Sequence, residues 1–558
     1  MSQTKFRVKI PKIIADILSS RGIETESEQI DFLNPDYKAL KHDPFLLPDM
    51  RAAVLRIQQA KSNNEKVTIY GDYDIDGMTA TVILWQSLGE FGLDVETYTP
   101  DRFSEGYGLN IDAIEKIASN GTKLIITVDN GTLSFAEIAR AKELGVDVIV
   151  TDHHQPHETL PDAVAVLNPK RTDSEYPFND LAGCGVAFKL VQACQTEMDG
   201  LPDGQEKWLL DLVALGTVCD IVGLIDENRA NVRWGIEVMR KTRRPGLKAL
   251  LSLAGVDMAK IDSRTLGFVL GPRLNAAGRL ETAEMALELL KTDDNFRALE
   301  LAEKLDALNK ERRKIQDETF LQAVEQIGAD DYVAIAVGDD WHEGVIGIVA
   351  SKVVERFERP AFVMSRGAEF TKASGRSFGE FSMAAVIHAT DSLLMKGGGH
   401  AAAGGLTVKN ELLDEWKAAV QKFYKSLELA DQKHFLVPNP DVKVNDFRDF
   451  TPELLDELSS LEPFGNSNES PVFEISPVLI MDRRTMGADN QHVKYIFADQ
   501  DGRKFSAVAF GAADKFVIEP NNEEGEPNRA TILVELMKNE WNGVTKVEGR
   551  LLNVRLLT

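Results

Sequence analysis

The chain contains few cysteines and no long apolar run. Its 558 residues include three cysteines with no C-x-x-C spacing, and so sparse and odd a number excludes a disulfide framework. No apolar run approaches the roughly 20 residues that cross a bilayer, which excludes a helical membrane span. The first residues show no apolar segment followed by a small-residue cleavage site, so we expect no secretory signal and a cytoplasmic location.

Positive charge is also scarce in this chain. Lysine and arginine total 63 against 88 aspartates and glutamates, which gives a formal net charge of −25. Proteins that bind along a phosphate backbone usually carry a basic excess, so this balance argues against a nucleic-acid partner. Carboxylates that bind divalent cations, however, count as negative although the loaded site is close to neutral. The acidity therefore weakens a nucleic-acid function without excluding it.

The pattern of apolar runs predicts a modular α/β protein. The first half alternates short apolar runs with helical patterns, which is typical of βαβ units and a mostly parallel sheet covered on both faces. The clearest predicted strands cover residues 66–71, 123–128 and 146–151. We predict an N-terminal segment with a first α/β domain over 1–278, a continuous connector helix over 279–327, a second α/β domain over 328–432 and a C-terminal β domain over 433–558.

The C-terminal domain is predicted to be a small five-stranded barrel of the OB type. Its strand-like runs follow a helix predicted over 451–460. Two of the runs are bent at Asp501-Gly502 and Asn542-Gly543, and both dipeptides are strong hairpin signals.

Three carboxylates follow the first strand on alternate residues, in the segment "IYGDYDIDG". Asp72, Asp74 and Asp76 have the spacing that opens an EF-hand loop, but position 12 of such a loop must be glutamate and is Ile83 here. The helix predicted after them directs its N-terminal dipole toward the acidic loop, a place suited to cations and phosphate together.

The other predicted strands also end in acidic or imidazole side chains. Asp129 follows the second strand, and "TDHHQPH" places His153, His154 and His157 directly after the third. Because ligands gather at the carboxyl ends of parallel strands, we expect these loops to converge, with Asp220 joining them from a matching strand end. Mixed imidazole and carboxylate ligands favour Mn²⁺, with Mg²⁺ acceptable at an oxygen-rich position. So many ligands exceed the need of one ion, which indicates two ions sharing an aspartate.

These motifs resemble, in order, those of the DHH phosphoesterases: D-x-D-x-D-G at 72–77, Asp129-Asn130-Gly131, Asp152-His153-His154 and Asp220. Five further segments resemble the single-stranded-DNA-specific exonucleases of that family: 102–109, 271–279, 341–353, 374–377 and 397–405. The resemblance implies 5′→3′ hydrolysis of single-stranded DNA to mononucleotides, in DNA repair and recombination. It also implies that one ion is held by Asp74 and Asp129 and the other by Asp76, Asp129, His153 and Asp220, with Asp72 tuning the site and His154 contacting phosphate or acting as an acid.

The same resemblance assigns the second domain to the DHHA1 class, which closes over the first and leaves a groove for a single strand. It implies a 5′-phosphate contact by Ser374 and Arg376, together with Arg102 and either Arg273 or Arg279. The glycines at 397–399 and 404–405 either allow close backbone approach to phosphate or form a tight turn that positions His400, which is a further phosphate-binding candidate. The barrel would capture DNA. Candidate barrel contacts are Phe464, Tyr495, Phe497, Phe510, Arg483, Arg484, Lys494 and Lys504, of which half the aromatics belong to the core by strand alternation.

The resemblance further implies a monomer that works with a helicase and a single-stranded-DNA-binding protein. Two other functions remain open from the residues: a phosphodiesterase or pyrophosphatase for small phosphate compounds, and a catalytically silent single-strand-binding or scaffold protein. For the basic stretch 308–316, a solvated face and the lining of a DNA channel are equally compatible with the sequence.

Overall fold

The computed structural model describes residues 10–35, 37, 42–102, 105–106, 108–429, 437–541 and 544–557. Two compact units make up the chain: Met1–Leu40 with Lys433–Thr558, and Lys41–Gln432. The prediction that the N-terminal segment belongs with the first α/β domain is therefore wrong, because that segment clusters with the C-terminal residues. No helix in the described part of the chain is long and apolar enough to cross a membrane.

The N-terminal segment forms two short helices, α1 (Lys12–Ser20) and α2 (Glu26–Leu33). Ile14, Ile17 and Leu18 on α1 are buried in the hydrophobic core of the C-terminal unit. This burial explains why residues so distant in sequence belong to one unit.

A five-stranded parallel sheet forms the centre of the first α/β domain, with strand order β2-β1-β3-β4-β5. The three predicted strands are confirmed as β1, β3 and β4, and their buried residues pack against helices. The elements are α3 (Met50–Ser62), β1 (Lys66–Tyr70), α4 (Ile75–Glu90), β2 (Asp94–Tyr98), α5 (Ile111–Ser119), β3 (Thr122–Val128), α6 (Phe135–Glu143), β4 (Asp147–Thr151) and β5 (Ala165–Leu167).

A helical region follows the sheet. Its elements are α7 (Gly183–Glu197), α8 (Leu210–Cys219), α9 (Asp226–Met239), α10 (Pro245–Leu253), α11 (Ser263–Thr265), a π-helical turn (Leu266–Leu270), α12 (Gly271–Leu280), α13 (Glu284–Lys291) and α14 (Asn295–Val324). The prediction of a continuous helix over 279–327 is wrong, because these residues belong to three separate helices: the end of α12, then α13 and α14. Thr292 is extended, and the Asp294 side chain accepts the backbone N–H of Phe296 at 2.7 Å, which starts α14 anew.

The second α/β domain has a mixed sheet of order β6-β7-β8-β10-β9, in which only β6 and β7 are parallel. Its elements are β6 (Ala334–Asp339), α15 (Glu343–Phe357), β7 (Ala361–Arg366), β8 (Phe370–Arg376), α16 (Met383–Ala389), β9 (Leu394–Gly399), β10 (Ala403–Lys409) and α17 (Leu413–Ser426).

The C-terminal β domain closes into a barrel, as predicted. Five strands run in the order β12-β13-β14-β16-β15, and β15 pairs back with β12 while β11 lies on the outer edge of β12. The predicted turn at Asp501-Gly502 joins β13 to β14, whereas Asn542-Gly543 lies outside the described residues. The elements are β11 (Val442–Val444), α18 (Pro452–Leu458), β12 (Val472–Met486), β13 (His492–Ala498), β14 (Lys504–Ala509), β15 (Arg529–Trp541) and β16 (Val544–Leu556).

Candidate active site

The acidic loop after β1 is held in place by backbone N–H groups at two helix N-termini. Asp74 is the N-cap of α4, and its Oδ1 accepts the N–H of Gly77 at 3.0 Å. Asp76, two residues further along, accepts the N–H groups of Gly183 at 2.6 Å and Cys184 at 2.9 Å, at the start of α7. Helix N-termini stabilise negative charge, so part of the like-charge repulsion in this loop is offset before any cation binds.

The side chains that follow β3 and β4 meet this loop. Asp129 has a left-handed backbone with φ of 60°, and its Oδ1 lies 3.1 Å from His153 Nε2. The same imidazole nitrogen lies 3.6 Å from Asp220 Oδ2 and 3.8 Å from Asp76 Oδ2. The expectation that Asp220 follows a strand is wrong: it is the C-cap of α8. It nevertheless reaches the same point.

The donor atoms form three overlapping groups, each within 4.8 Å: Asp72, Asp74 and Asp129; Asp76, His153 and Asp220; Asp129, His153 and His154. Three buried atoms of the cluster have no hydrogen-bond partner among the described residues: both ring nitrogens of His153 and the Oδ2 of Asp220. Buried polar atoms are normally hydrogen-bonded, so a missing partner requires an explanation. Divalent cations shared through Asp129 fit this donor set.

The crowding of buried carboxyl groups in this cluster raises the pKa values of several of them. Burial first, and then the neighbouring carboxylates, raise the pKa of Asp72 and Asp129 well above the ordinary value. The same two causes raise the pKa of Asp220 to about 9. The cluster cannot carry its full negative charge at neutral pH unless cations compensate it.

The metal-free protein is therefore expected to lose stability as pH rises. The folded-state pKa of Asp220, about 9, lies above its ordinary value of 3.8. The folded state thus keeps a proton that the unfolded state releases, so this contribution is complete below pH 3.8 and lost as pH rises through 9. Urea denaturation with a chelator, from about pH 5 to 9, measures the effect. Asp220→Asn should flatten the dependence, and equal slopes for the two proteins would contradict the assignment.

Asp152, between β4 and the histidines, orients His154 and is itself a member of none of the three donor groups. Its carboxylate accepts the N–H groups of Thr132 at 2.9 Å and His153 at 2.7 Å, and lies 2.8 Å from His154 Nδ1. Burial alone would raise the pKa of Asp152, but the hydrogen bond and charge of His154 lower it. Burial lowers the pKa of His154, but the hydrogen bond to Asp152 and the charges of the neighbouring carboxylates together outweigh it, so the net shift is upward. His154, 45% exposed at the edge of the donor groups, thus takes up a proton more readily than an ordinary histidine.

A basic cavity of about 520 Å³ lies beside this centre, between the two α/β domains of the larger unit. The predicted phosphate residues Arg102, Arg279, Ser374 and Arg376 line it. Burial first, and then neighbouring arginines, lower the pKa of Arg279 to about 10, which is the expected effect of cations crowded without an anion. The Arg102 guanidinium lies 5.1 Å from the ring centroid of Tyr73, between Asp72 and Asp74, so the cavity adjoins the acidic loop.

Two further lysines, Lys372 and Lys396, line the cavity and were missed by sequence reasoning. Lys372 alternates with Ser374 and Arg376 on β8, so the period of two in strands could have found it. Lys396 comes from β9, and a local pattern could not have grouped it with β8.

Two predicted phosphate residues do not line this cavity. Arg273 donates to Asp306 Oδ1 at 2.9 Å and to the carbonyl oxygen of Val269 at 2.8 Å, so it connects α12 to α14. His400 lies in the exposed turn between β9 and β10, where its Nδ1 accepts the N–H of Ala402 at 3.3 Å. Of the arginine alternatives, Arg279 occupies the cavity.

The predicted barrel contacts divide between core and surface. Tyr495 and Phe497 are fully buried and Phe464 packs against the core, whereas Phe510 is 54% exposed. Lys494 lies 2.5 Å from Glu548. Of the remaining basic candidates, Arg483 donates to the Phe516 carbonyl oxygen, Arg484 forms an ion pair with Asp482, and Lys504 is exposed.

In the stretch 308–316, Arg312 is buried and donates to Gln316, while Arg313 and Lys314 are exposed.

Family models match each of the three folded regions. The DHH family N-terminal domain matches residues 66–217, the DHHA1 domain residues 330–426 and the RecJ OB domain residues 441–552. The fold and the donor groups therefore define a metal-dependent phosphoesterase of the DHH class. More particularly, the chain belongs to the RecJ family of single-stranded-DNA-specific exonucleases, as its relatives show.

The single-stranded-DNA-specific exonuclease RecJ of Bacillus subtilis is 39% identical over 547 residues, which are 97% of this chain and 67% of the relative. RecJ of Dickeya dadantii is 38% identical over 440 residues, or 75% of each chain. The crystal structure of RecJ in complex with Mn²⁺ from Thermus thermophilus matches with a TM-score of 0.79 at 27% identity, covering 97% of this chain and 76% of the other. The Mg²⁺ complex from the same source matches with a TM-score of 0.77 at 26% identity, covering 98% and 75%. The prediction of Mn²⁺ or Mg²⁺ as cofactor is thus supported by solved relatives.

Proposed function

We propose that this protein is a 5′→3′ exonuclease that hydrolyses single-stranded DNA to mononucleotides. One observation carries the proposal: a cavity lined by arginines, lysines and a serine adjoins a cluster of metal-donor groups through Tyr73 and Arg102. A terminal 5′ phosphate bound in the cavity would place the first phosphodiester bonds of the strand near the carboxylates. Arginine suits this task because its planar fork binds phosphate through two parallel hydrogen bonds.

The carboxylates and His153 would hold two divalent ions, with Asp74 and Asp129 on one and Asp76, Asp129, His153 and Asp220 on the other. Bound there, the ions would supply the water activation and charge compensation that phosphodiester hydrolysis requires. His154, oriented by Asp152 and with a raised pKa, would bind a phosphate oxygen or donate a proton to the leaving oxygen. Asp72, with its raised pKa, would adjust the charge of the acidic loop without being a principal ligand.

A substrate longer than a dinucleotide is favoured by the presence of the barrel domain. Barrels of the OB type bind single strands through basic grooves and exposed aromatic side chains, and Phe510 is such a side chain here. Hydrolysis of small phosphate compounds would not require this domain.

The proposed activity also suggests a cellular setting. An enzyme that degrades single strands from the 5′ end would serve DNA repair and recombination and would work in the cytoplasm as a monomer. It would depend on a helicase to separate the strands and would meet the single-stranded-DNA-binding protein that covers them.

Digestion of a long single strand labelled separately at its 5′ and 3′ ends tests the proposal. With Mn²⁺ or Mg²⁺ we expect rapid release of the 5′ label as a mononucleotide, with duplex DNA spared and no reaction in chelator. Earlier release of the 3′ label would refute the polarity. Survival of long strands while dinucleotides or pyrophosphate are hydrolysed would refute the substrate and leave the metal centre standing.

A further inference from the structure

A second cavity of the larger unit, of about 530 Å³, lies away from the metal-donor groups. The donor groups follow the carboxyl ends of the parallel strands, whereas this cavity is lined by Val95 at the amino end of β2. Its other walls are the C-terminal part of α4, the start of α8, the residues before α10 and the end of α13. Because Trp85 and Trp208 line it, we call it the tryptophan cavity. Its volume is within the range of roughly 300–1,000 Å³ that small-molecule sites have.

Each tryptophan of this cavity has a cation over its indole ring. The guanidinium carbon of Arg243 lies 3.7 Å from the ring centroid of Trp208, and Lys291 Nζ lies 4.4 Å from that of Trp85. Arg243 is exposed and forms no ion pair within the described part of the chain, and burial lowers the pKa of Lys291. Flat bases stack on indole rings and on guanidinium planes, and both cations can bind phosphate. The cavity thus combines the two features that bind a nucleotide.

Hydrogen-bonding groups complete the lining of the tryptophan cavity. Glu90 and Asp293 are exposed carboxylates, which accept hydrogen bonds from the amino and ring N–H groups of bases. Ser87 also lines the cavity; it is 1% exposed, and its Oγ has no hydrogen-bond partner among the described residues. Buried hydroxyl groups are normally hydrogen-bonded, so the missing partner indicates a group that the chain itself does not supply.

Two helices connect the tryptophan cavity to the metal-donor groups. Helix α4 starts at its N-cap Asp74 and reaches the cavity at Gln86, and α8 starts at the cavity with Asp211 and ends at its C-cap Asp220. Arg244 joins the cavity ends of both helices, because its Nη2 donates to Gln86 Oε1 at 2.8 Å and its Nε to Asp211 Oδ1 at 3.4 Å. Each helix spans roughly 15 Å between the two sites at the helical rise per residue.

The same helices contact each other at the metal end. A Cβ on Gly216 of α8 would lie 2.4 Å from the Thr79 Oγ1 of α4 and 2.9 Å from Asp76 Oδ1. Closely packed elements transmit small displacements because their interiors have little free space. A ligand that moved Arg244 would therefore change the spacing of Asp76 and Asp220.

We infer that the tryptophan cavity binds a purine nucleotide and that this binding alters catalysis at the metal centre. The purine would stack on Trp208 or Trp85, since a two-ring base covers an indole best, and the carboxylates would accept its N–H groups. The phosphate would lie between Arg243 and Lys291. Such a nucleotide has two sources of the same chemistry: the cellular ribonucleotides, and the deoxynucleotides that the proposed reaction releases. The binding itself does not depend on the proposed function.

Calorimetric titration of the full chain with GMP and with dGMP, in chelator, tests the binding. The Arg376→Gln variant is the background, so that the basic cavity contributes little. We expect one nucleotide per chain, and the tighter of the two ligands identifies the source. Adding Arg243→Gln or Trp208→Ala should weaken the affinity about tenfold, the effect of losing one charged hydrogen bond or one base stack. No binding, or binding that neither substitution weakens, would overturn the inference, and equal affinity for dCMP would overturn the preference for a purine.

Arg264 provides a matched control for Arg243. It is also an exposed arginine with its guanidinium carbon near an aromatic ring, 5.6 Å from the ring centroid of Phe268, and it does not line the tryptophan cavity. Arg264→Gln should leave the nucleotide affinity unchanged. If Arg264→Gln and Arg243→Gln weakened binding equally, the effect would be a general loss of positive charge and the assignment of the site would be wrong.

Steady-state kinetics separate regulation from competition for the active site. A nucleotide that competes with the strand for the basic cavity raises KM alone, whereas one bound in the tryptophan cavity changes kcat at saturating strand. With GMP or dGMP in Mn²⁺ we expect the wild-type kcat to change about fivefold, and this change should disappear in Arg243→Gln. An unchanged wild-type kcat, or an equal change in both proteins, would overturn the regulatory role. If the wild type digests no strand at all, the proposed function fails, while the calorimetric result still decides whether the nucleotide binds.

Discussion

Asp129→Asn is expected to lower kcat for single-stranded DNA by at least about a thousandfold, which corresponds to losing several kcal/mol of charge stabilisation in the transition state. Asp129 contributes to two of the three donor groups, so its loss affects both proposed ions. Asparagine is the suitable replacement because it tolerates the left-handed backbone at this position, where alanine would add strain. Digestion of a 5′-labelled strand in Mn²⁺ measures the effect.

The fold of the Asp129→Asn variant should survive. Its melting temperature in chelator should equal or exceed that of the wild type, because one repelling carboxylate is removed from the cluster. Calorimetric titration with Mn²⁺ should show fewer bound ions. Asp340→Asn is the matched control, since Asp340 also has a positive φ, 55°, and belongs to none of the donor groups. An active Asp129→Asn enzyme would exclude a bridging role.

Arg376→Gln is expected to abolish discrimination between 5′-phosphorylated and 5′-hydroxyl strands. The kcat/KM for the phosphorylated strand should fall about a hundredfold, the usual cost of removing one partner of a buried charged hydrogen bond, while the value for the hydroxyl strand changes little. Arg376 lines the cavity and donates to Ser374 Oγ at 3.2 Å, so both side chains face the same space. Competition between the two strands in one reaction measures the ratio directly.

Arg273→Gln separates this effect from a general loss of positive charge. Arg273 pairs with Asp306 and does not line the cavity, so its substitution should lower the melting temperature and leave the discrimination unchanged. If Arg273→Gln and Arg376→Gln reduced the discrimination equally, the 5′ phosphate would not be bound where we propose.

The part of the site that follows strand ends could be predicted from sequence. Asp72, Asp129 and His153 come directly after parallel strands, and such loops must meet at one edge of the sheet. Asp220 was included by its sequence context, but its position at the end of α8 depends on how α8 packs beside α4. No local pattern encodes that packing.

Contacts between distant residues account for most of what could not be predicted. The hydrogen bonds from Gly183 and Cys184 to Asp76 span more than a hundred positions and leave no periodic signal. The breaks between α12, α13 and α14 were missed because neither glycine nor proline marks them. Instead, α12 ends at Glu281, an extended Thr292 ends α13, and the Asp294 side chain caps the start of α14. In the barrel, alternation indicated that half of the aromatics are core, but it could not say which half until the strand pairs were known.

Two glycines limit the space around Asp76. A Cβ on Gly183 would lie 2.8 Å from the Cβ of Asp129, and a Cβ on Gly216 would lie 2.9 Å from Asp76 Oδ1. Neither distance is compatible with an ordinary carbon contact, so any side chain at these positions would displace the carboxylates. A homologue can therefore retain every acidic and histidine residue of the motifs and still be an inactive pseudoenzyme. In genome surveys, the residues at these two positions should be inspected before a DHH-like sequence is counted as a nuclease.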